Sequence, residues 1–117
     1  VLLDPWPDLN NNETLASVVA DAIDRDSLKE KEGRFHAPDD QTPYTGWGKG
    51  IYPDGQAALV DRYKEGKLDG QTFLFRNGQR KKEGRFLNGS KEGLWIDWNE
   101  DGSERHRANF SNGEQVE

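Results

Sequence analysis

The chain contains no cysteine and no methionine. The lack of cysteine excludes disulfides and thiolate metal sites and leaves the redox compartment open. Long hydrophobic runs are also missing, since no stretch approaches the roughly 18 apolar residues that suggest a membrane-spanning helix. Apolar residues make up only 32% of the 117 residues, and the mean hydropathy is -1.06. These values predict one small domain with a thin core.

Positive charge is scarcer than negative charge, with 16 basic and 22 acidic residues and a net charge of -6. The excess acid lies in residues 1–44, which hold 10 acidic and 4 basic side chains, whereas residues 45–117 hold 12 of each. Nucleic acids and anionic membranes are bound through clustered positive charge, so neither is expected as a general ligand. The sequence begins at Val1 without an initiator, so we expect that an initiator, with or without a leader, preceded it.

A glycine-and-aromatic pattern returns about every 23 residues between Gly46 and Gly113. Five columns keep this period: Gly46, Gly70 and Gly93; Gly55, Gly78 and Gly102; Gly66, Gly89 and Gly113; Tyr63, Phe86 and Phe110; and Tyr52, Phe75 and Trp98. Such phase agreement over three periods indicates a repeat protein.

Each repeat is predicted to be a β-hairpin, because Asn-Gly and Asp-Gly pairs tolerate the positive φ of tight turns. The predicted strand pairs are residues 47–52 with 56–63, 71–76 with 79–86, and 94–98 with 103–110. A further strand over 28–35 ends in the tetrapeptide Glu-Gly-Arg-Phe, which recurs at 83–86, and is interpreted as half of a degenerate first repeat. The links 64–70 and 88–93 are predicted to be turns. The predicted fold class is therefore mainly β, an elongated antiparallel meander of seven strands with one short N-terminal helix.

That helix is predicted over residues 13–23, where apolar residues recur with a 3.6-residue period. Asn12 is the predicted N-cap. The apolar stripe consists of Leu15, Val18, Val19, Ala22 and Ile23. We expect it to cap the first hairpin or to pack on one face of the sheet. The chain then divides into a lead-in and capping helix (1–27) and a repeat sheet (28–117), within one domain overall.

Side-chain alternation along the strands assigns the faces of the sheet. Leu94, Ile96 and Trp98 fall on one face, and Trp95 and Asp97 fall on the other. The aromatics interpreted as structural are Tyr52, Tyr63, Phe73, Phe75, Phe86, Trp98 and Phe110. On the mixed face, aromatics are expected to lie over glycines of neighbouring strands, such as Gly84.

The motifs Gly-Leu-Trp-Ile-Asp-Trp at 93–98, Asn-Gly-Gln at 77–79 and the segment 63–70 resemble the bacterial variant of the MORN repeat. This repeat occurs in YwqK-type antitoxin-like proteins and in exported bacterial proteins of no known activity. The resemblance covers about residues 28–117. It implies a repeat array that serves as a binding module, with a lean toward an exported location. Thr72 departs from the pattern by replacing the first tryptophan of its repeat, and the turn at 99–102 has an extra residue.

Five residues are candidates for binding a partner. The basic run from residue 76 to 85 contains Arg80, Lys82 and Arg85, which would orient an acidic partner. The alternative is that cross-strand pairing with Glu104 or Asp61 neutralises these cations. The other two candidates, Trp47 and Trp95, are natural anchors if they are exposed.

Catalytic and metal-binding patterns are weak. Residues 97–102 match the opening of a calcium loop, but its twelfth position is Ala108 instead of glutamate. His36 and His106 stand in neither metal-ligand nor triad spacing. We therefore expect no metal, no cofactor and no catalytic residues. An enzyme would need a concave pocket beside a histidine or beside the paired aspartates at 24/26 or 39/40.

These observations predict a non-enzymatic protein-interaction module whose partner is another protein. Three alternatives stay open: an antitoxin or immunity protein that blocks a toxin by direct binding, a phospholipid head-group module, and a hydrolytic enzyme. The terminal strand 103–110 is expected to leave an open edge, which allows edge-to-edge homodimerisation.

Overall fold

The computed structural model describes residues 11–38 and 42–116. It contains one helix, α1 (Asn12–Asp21), and a 3-10 turn at Arg25–Ser27. The strands are β1 (Ile23–Asp24), β2 (Lys29–Lys31), β3 (Arg34–His36), β4 (Gly46–Ile51), β5 (Ala57–Lys64), β6 (Lys67–Arg76), β7 (Gln79–Leu87), β8 (Ser90–Lys91), β9 (Gly93–Trp98), β10 (Glu104–Ser111) and β11 (Glu114–Val116).

Nine of these strands form one sheet in the order β1-β4-β5-β6-β7-β9-β10-β11, with β8 also paired to β7. Its neighbours are antiparallel, except that β1 runs parallel to β4. β2 and β3 form a separate hairpin. The prediction of a mainly β fold with one short helix is confirmed. The molecule measures 42 × 36 × 27 Å, so its elongation is mild.

Five two-residue turns in the described chain have positive φ at both residues, the requirement of type I′ hairpins. They are Glu32-Gly33, Glu65-Gly66, Asn77-Gly78, Asn88-Gly89 and Asn112-Gly113. Residue 66 must be glycine because of its positive φ and also because there is no room for a side chain. A Cβ there would lie 2.7 Å from the Cβ of Arg34 and 2.9 Å from the backbone of Phe35.

Successive repeats are joined by their turns as well as by their strands. Three turn glycines donate their N–H groups to carbonyl oxygens one repeat earlier: Gly66 to Tyr44, Gly89 to Leu68 and Gly113 to Lys91. The residue before each glycine donates to a side-chain oxygen: Glu65 to Thr45, Asn88 to Asp69 and Asn112 to Glu92. Because these contacts keep the sequence period, each turn stacks on the one before it.

The prediction of one strand over 28–35 is wrong. This segment is the β2–β3 hairpin, with its turn at Glu32-Gly33. The same tetrapeptide at 83–86 lies inside β7, where the glycine, Gly84, faces the ring of Trp95. Identical local sequence therefore folds in two ways, because tertiary packing at Gly84 favours the extended form.

Other element boundaries also differ from prediction. β6 begins at Lys67, inside the predicted link 64–70, and the short strands β8 and β11 were not predicted. β11 pairs with residues 109–111 of β10, so the terminal edge is partly filled instead of fully open. Asn11, not Asn12, caps α1, because its side chain accepts the N–H groups of Glu13 and Thr14 at 2.9 and 3.1 Å.

Helix α1 packs on one face of the sheet, which we call the helix face. Val18 of α1 is buried against Val60 of β5 and against Phe73 and Phe75 of β6. Around this cluster lie Leu15, Val19, Trp47 and Ala57. Lys49 of β4 also donates to the carbonyl oxygen of Val19 at 2.9 Å, which ties the helix to the first strand of the repeat sheet. The helix therefore packs on one face of the sheet, which was one of its two predicted positions.

Candidate binding surface

Helix α1 covers the helix face over only one half of the sheet. In the described part of the chain, the cluster beneath α1 takes its sheet residues from β4, β5 and β6. Phe73 is 4% exposed there, whereas Leu94, on the same face of β9, is 40% exposed. Ile96 and Trp98 follow Leu94 on that face and are half-buried. We call these three β9 residues the open lane.

Charged pairs flank the open lane. Nη1 of Arg80 lies 2.6 Å from Oε1 of Glu83, and the indole N–H of Trp98 donates to the same oxygen at 3.1 Å. The Arg80 guanidinium lies over the Trp98 ring, 5.3 Å from its centroid. On the other side of the lane, Arg107 pairs with Glu104. An apolar strip between paired charges has the composition of an interface centre with a polar rim.

A cleft opens beside Trp98, where the ladder between β7 and β9 ends. These two strands pair only at Lys82↔Asp97 and Glu83↔Ile96. Two adjoining grooves of about 240 and 650 Å³ lie between the tip of the β6–β7 hairpin and the tip of the β9–β10 hairpin. Both are lined by Arg76, Lys81, Trp98, Asn99 and Glu100. We call them together the tip cleft.

Cations dominate the lining of the tip cleft. They are Arg76, Arg80, Lys81, Lys82 and Arg105, with His106 beside them, against the carboxylates of Asp97 and Glu100. Arg76 pairs with Glu100 at 3.3 Å, and Lys82 pairs with Asp97 at 3.4 Å. Within residues 11–38 and 42–116, Lys81 and Arg105 form no ion pair. The cleft therefore offers unneutralised positive charge.

The structure brings two of the three predicted basic residues to the tip cleft. Arg80 and Lys82 line it, from opposite faces of β7, because the ladder with β6 is irregular between them. Arg85 is exposed farther along the strand and is not among the residues that line either groove. The basic run was expected to pair with Glu104 or Asp61, and this prediction is wrong for two of its residues. Arg80 pairs with Glu83, and Lys82 pairs with Asp97.

Trp95 is 7% exposed and is therefore no exposed anchor. Its ring covers Gly84 so closely that a Cβ on that glycine would lie 2.1 Å from it, which confirms the predicted stacking of an aromatic on Gly84. The indole N–H donates to the carbonyl oxygen of Arg85 at 3.2 Å. Phe86 and Phe110 meet the ring edge-to-face, with centroids 5.1 and 6.2 Å away. Trp95 is thus a packing residue of the face opposite α1.

The other two tryptophans of the described residues, Trp47 and Trp98, are both half-buried. Trp47 is half-buried against the cluster beneath α1, with the guanidinium of Arg62 5.5 Å from its ring centroid. Trp98, interpreted as core, is the half-buried aromatic of the open lane. One signal could have shown this: a ten-residue helix is about 15 Å long and covers roughly three strands spaced about 4.8 Å apart. One short helix could not have sealed the whole predicted sheet.

A buried polar cluster on the opposite face escaped the sequence analysis. Asp61 is 3% exposed, and its Oδ2 lies 3.4 Å from Nη2 of Arg25 in the 3-10 turn. The same Arg25 nitrogen lies 3.5 Å from the hydroxyl of Tyr63. Burial raises the pKa of Asp61 to about 6, although Arg25 and Tyr63 act to lower it. This cluster anchors the 3-10 turn on the sheet.

The segment that matches the opening of a calcium loop is the hairpin turn that the repeat predicted, and in it Asp101 accepts the backbone N–H of Ser103 at 2.9 Å. No group of three potential metal-ligating side chains occurs in the described part of the chain. His106 lines the tip cleft and so meets the pocket requirement of the enzyme hypothesis. Asp97, which faces His106 across the β9–β10 ladder, is paired with Lys82, and the enzyme hypothesis stays a prediction. Asp39 and Asp40 lie outside the described residues.

Comparisons with protein-family models, with curated proteins and with solved structures found no match for this chain. The resemblance to the bacterial MORN variant therefore stays a prediction based on the motifs quoted for it. No helix in the described residues is long and apolar enough to cross a bilayer.

Proposed function

We propose that this chain is a non-enzymatic protein-interaction module of MORN-like repeats, and that its protein partner docks on the open lane. The observation that carries this proposal is the change in burial along one sheet face. Val60 and Phe73 are buried under α1, whereas Leu94 is exposed on the same face of β9. Exposed apolar surface with a polar rim is typical of interaction sites.

Trp98 is suited to anchor such a partner. Its indole is held by the hydrogen bond to Glu83 and by the guanidinium of Arg80, so its side chain is ordered before binding. An ordered side chain loses less conformational freedom when a complex forms. Tryptophan and arginine are also the residues most enriched in interface hot spots. The lane therefore combines an accessible apolar strip with a preorganised anchor.

The test compares two glutamate substitutions at residues of similar exposure. Leu94→Glu places a charge in the open lane, and Ile51→Glu places one on β4, where the native isoleucine is 45% exposed. We expect wild type and Ile51→Glu to capture the same partner from a lysate of the source organism. Leu94→Glu should lose it, and its affinity for the purified partner should fall about tenfold or more.

Circular dichroism and thermal unfolding would verify that both variants remain folded. An equal loss of the partner in both variants would point to added charge alone, which contradicts the proposal. Retention of full affinity by Leu94→Glu would also exclude the lane as the docking surface.

A further inference from the structure

The charge of this protein is segregated along its sequence. Residues 76–107 contain 8 basic and 6 acidic side chains, whereas the rest of the chain contains 8 basic and 16 acidic ones. A segment of net charge +2 is thus set in a chain whose remainder carries -8. Every residue that lines the tip cleft belongs to this segment.

The electrostatic contact across the cleft is weak and accessible. Arg76 and Glu100 come from the two facing hairpins, and the Glu100 side chain is 79% exposed. An ion pair so open to solvent contributes little to stability. A carboxylate from another molecule would replace Glu100 beside Arg76 at small cost. Lys81 and Arg105 lie in the same cleft without an ion-pair partner among the described residues.

The cleft is continuous with the open lane. Trp98 belongs to both, because its ring lies on the helix face and also lines the two grooves. A peptide that crosses Trp98 would place apolar side chains in the lane and acidic side chains between the hairpin tips. The cations come from two different hairpins, Arg76 and Lys81 from one and Arg105 from the other. This arrangement favours a chain with several separated carboxylates over a single compact anion, which is held best by converging donors.

We propose that the tip cleft binds an acidic segment of the partner protein, with its carboxylates on Arg76, Lys81 and Arg105. This inference rests on the proposed function and specifies the chemistry of its partner. A membrane is the less favoured source of negative charge, because the -8 on the rest of the chain is repelled by an anionic bilayer. Charge complementarity of this kind mainly adds orientation and association rate.

The experiment measures fluorescence anisotropy of a fluorescein-labelled peptide that alternates glutamate with leucine, against the same peptide with glutamine in place of glutamate. The full chain is titrated as wild type, Lys81→Glu, Arg105→Glu and Lys64→Glu. Lys64→Glu is the matched control, because Lys64 is exposed on β5 and the change in net charge is identical. We expect Lys81→Glu and Arg105→Glu each to raise the Kd for the glutamate peptide about tenfold, and salt to weaken it.

Three results would overturn the inference. The glutamine peptide could bind as tightly as the glutamate peptide, or Lys64→Glu could weaken binding as much as Lys81→Glu. Alternatively, inorganic phosphate or phosphatidylserine vesicles could bind with the same sensitivity to Lys81→Glu, which would assign the cleft to anions in general. The two proposals fail separately: a partner that is lost by Leu94→Glu but kept by Lys81→Glu would support docking on the open lane and contradict the acidic segment.

Discussion

The two halves of the sheet share a repeat but differ in what covers them. Tyr52, Phe75 and Trp98 occupy the same repeat position and are exposed, buried and half-buried, in that order. Of the three, only Phe75 belongs to the cluster beneath α1. The repeat therefore determines register, whereas burial depends on the elements that precede it.

The opposite face shows the contrary arrangement, because both of its halves are closed. Tyr63 is buried beneath Arg25, Phe35 and Tyr44, which come from outside the repeat hairpins. Trp95 is instead enclosed by residues of its own repeats: Phe86, Lys91 and Phe110. The later repeats thus close one face by themselves, whereas no described helix covers their helix face, on which we propose that a partner docks.

The largest expected effect tests whether the two halves differ in stability as they differ in burial. Phe73→Ala, beneath α1, is expected to lower the free energy of unfolding by about 3–5 kcal/mol, because it leaves a cavity in the core. Ile96→Ala, half-buried in the open lane, should cost about 1 kcal/mol, since part of its surface is already in water. Urea unfolding at one pH would measure both. Equal costs would mean that the lane is covered after all.

The next effect compares an ion pair in each half. Arg25 pairs with buried Asp61, and Arg80 pairs with Glu83 at the partly exposed lane. Removal of Arg25 leaves a buried carboxylate without its partner, so Arg25→Gln should cost about 3 kcal/mol near pH 8. Arg80→Gln should cost about 1 kcal/mol or less at the same pH.

The pH dependence of Arg25→Gln follows from the pKa of Asp61, which burial raises from 3.8 to about 6 in the folded protein. Between these values the folded state binds more protons than the unfolded state, so stability falls as pH rises. Without Arg25 the pKa rises further and the fall becomes larger. The cost of Arg25→Gln should therefore nearly vanish near pH 4, because there the folded carboxyl group is protonated in wild type and variant alike and the unfolded chains titrate identically. A cost that is independent of pH would show that Arg25 contributes by packing alone.

The strands of the repeats could be predicted because their turn residues act locally. Asn77-Gly78 needs only its own dihedral preference to form a hairpin, and the structure has that hairpin. Strand β1 could not be predicted, since Ile23 and Asp24 carry no strand pattern and pair with β4 only after the chain has turned back from α1. Local chemistry determines the hairpins, and tertiary contact determines the rest.

Only two of the five predicted binding residues reach the candidate site. Arg80 and Lys82 were identified from the basic run, and both line the tip cleft. Their partners were not identified, because an irregular ladder beside Arg80 changes which side chains meet. Trp98 and Trp95 differ in exposure because only Trp95 faces a glycine, Gly84, that leaves room for its ring.

That glycine provides the smallest of the expected differences in stability. Gly84 and Gly50 are both strand glycines, in the later and the earlier half respectively. A Cβ on Gly84 would lie 2.1 Å from the Trp95 ring, whereas a Cβ on Gly50 would approach Leu59 at 3.3 Å. Gly84→Ala should therefore cost about 1–3 kcal/mol, because the buried indole must shift.

Gly50→Ala should change the free energy of unfolding by about 1 kcal/mol or less, because a leucine side chain adjusts more easily than an enclosed ring. Near-ultraviolet circular dichroism of Gly84→Ala should also show a changed tryptophan signal, since the Trp95 ring can no longer pack directly on residue 84. If both alanine variants were equally stable and the signal were unchanged, the later repeats would not close their own face through Trp95. On the face opposite α1, the earlier half of the sheet would then no longer differ from the later half in how it is covered.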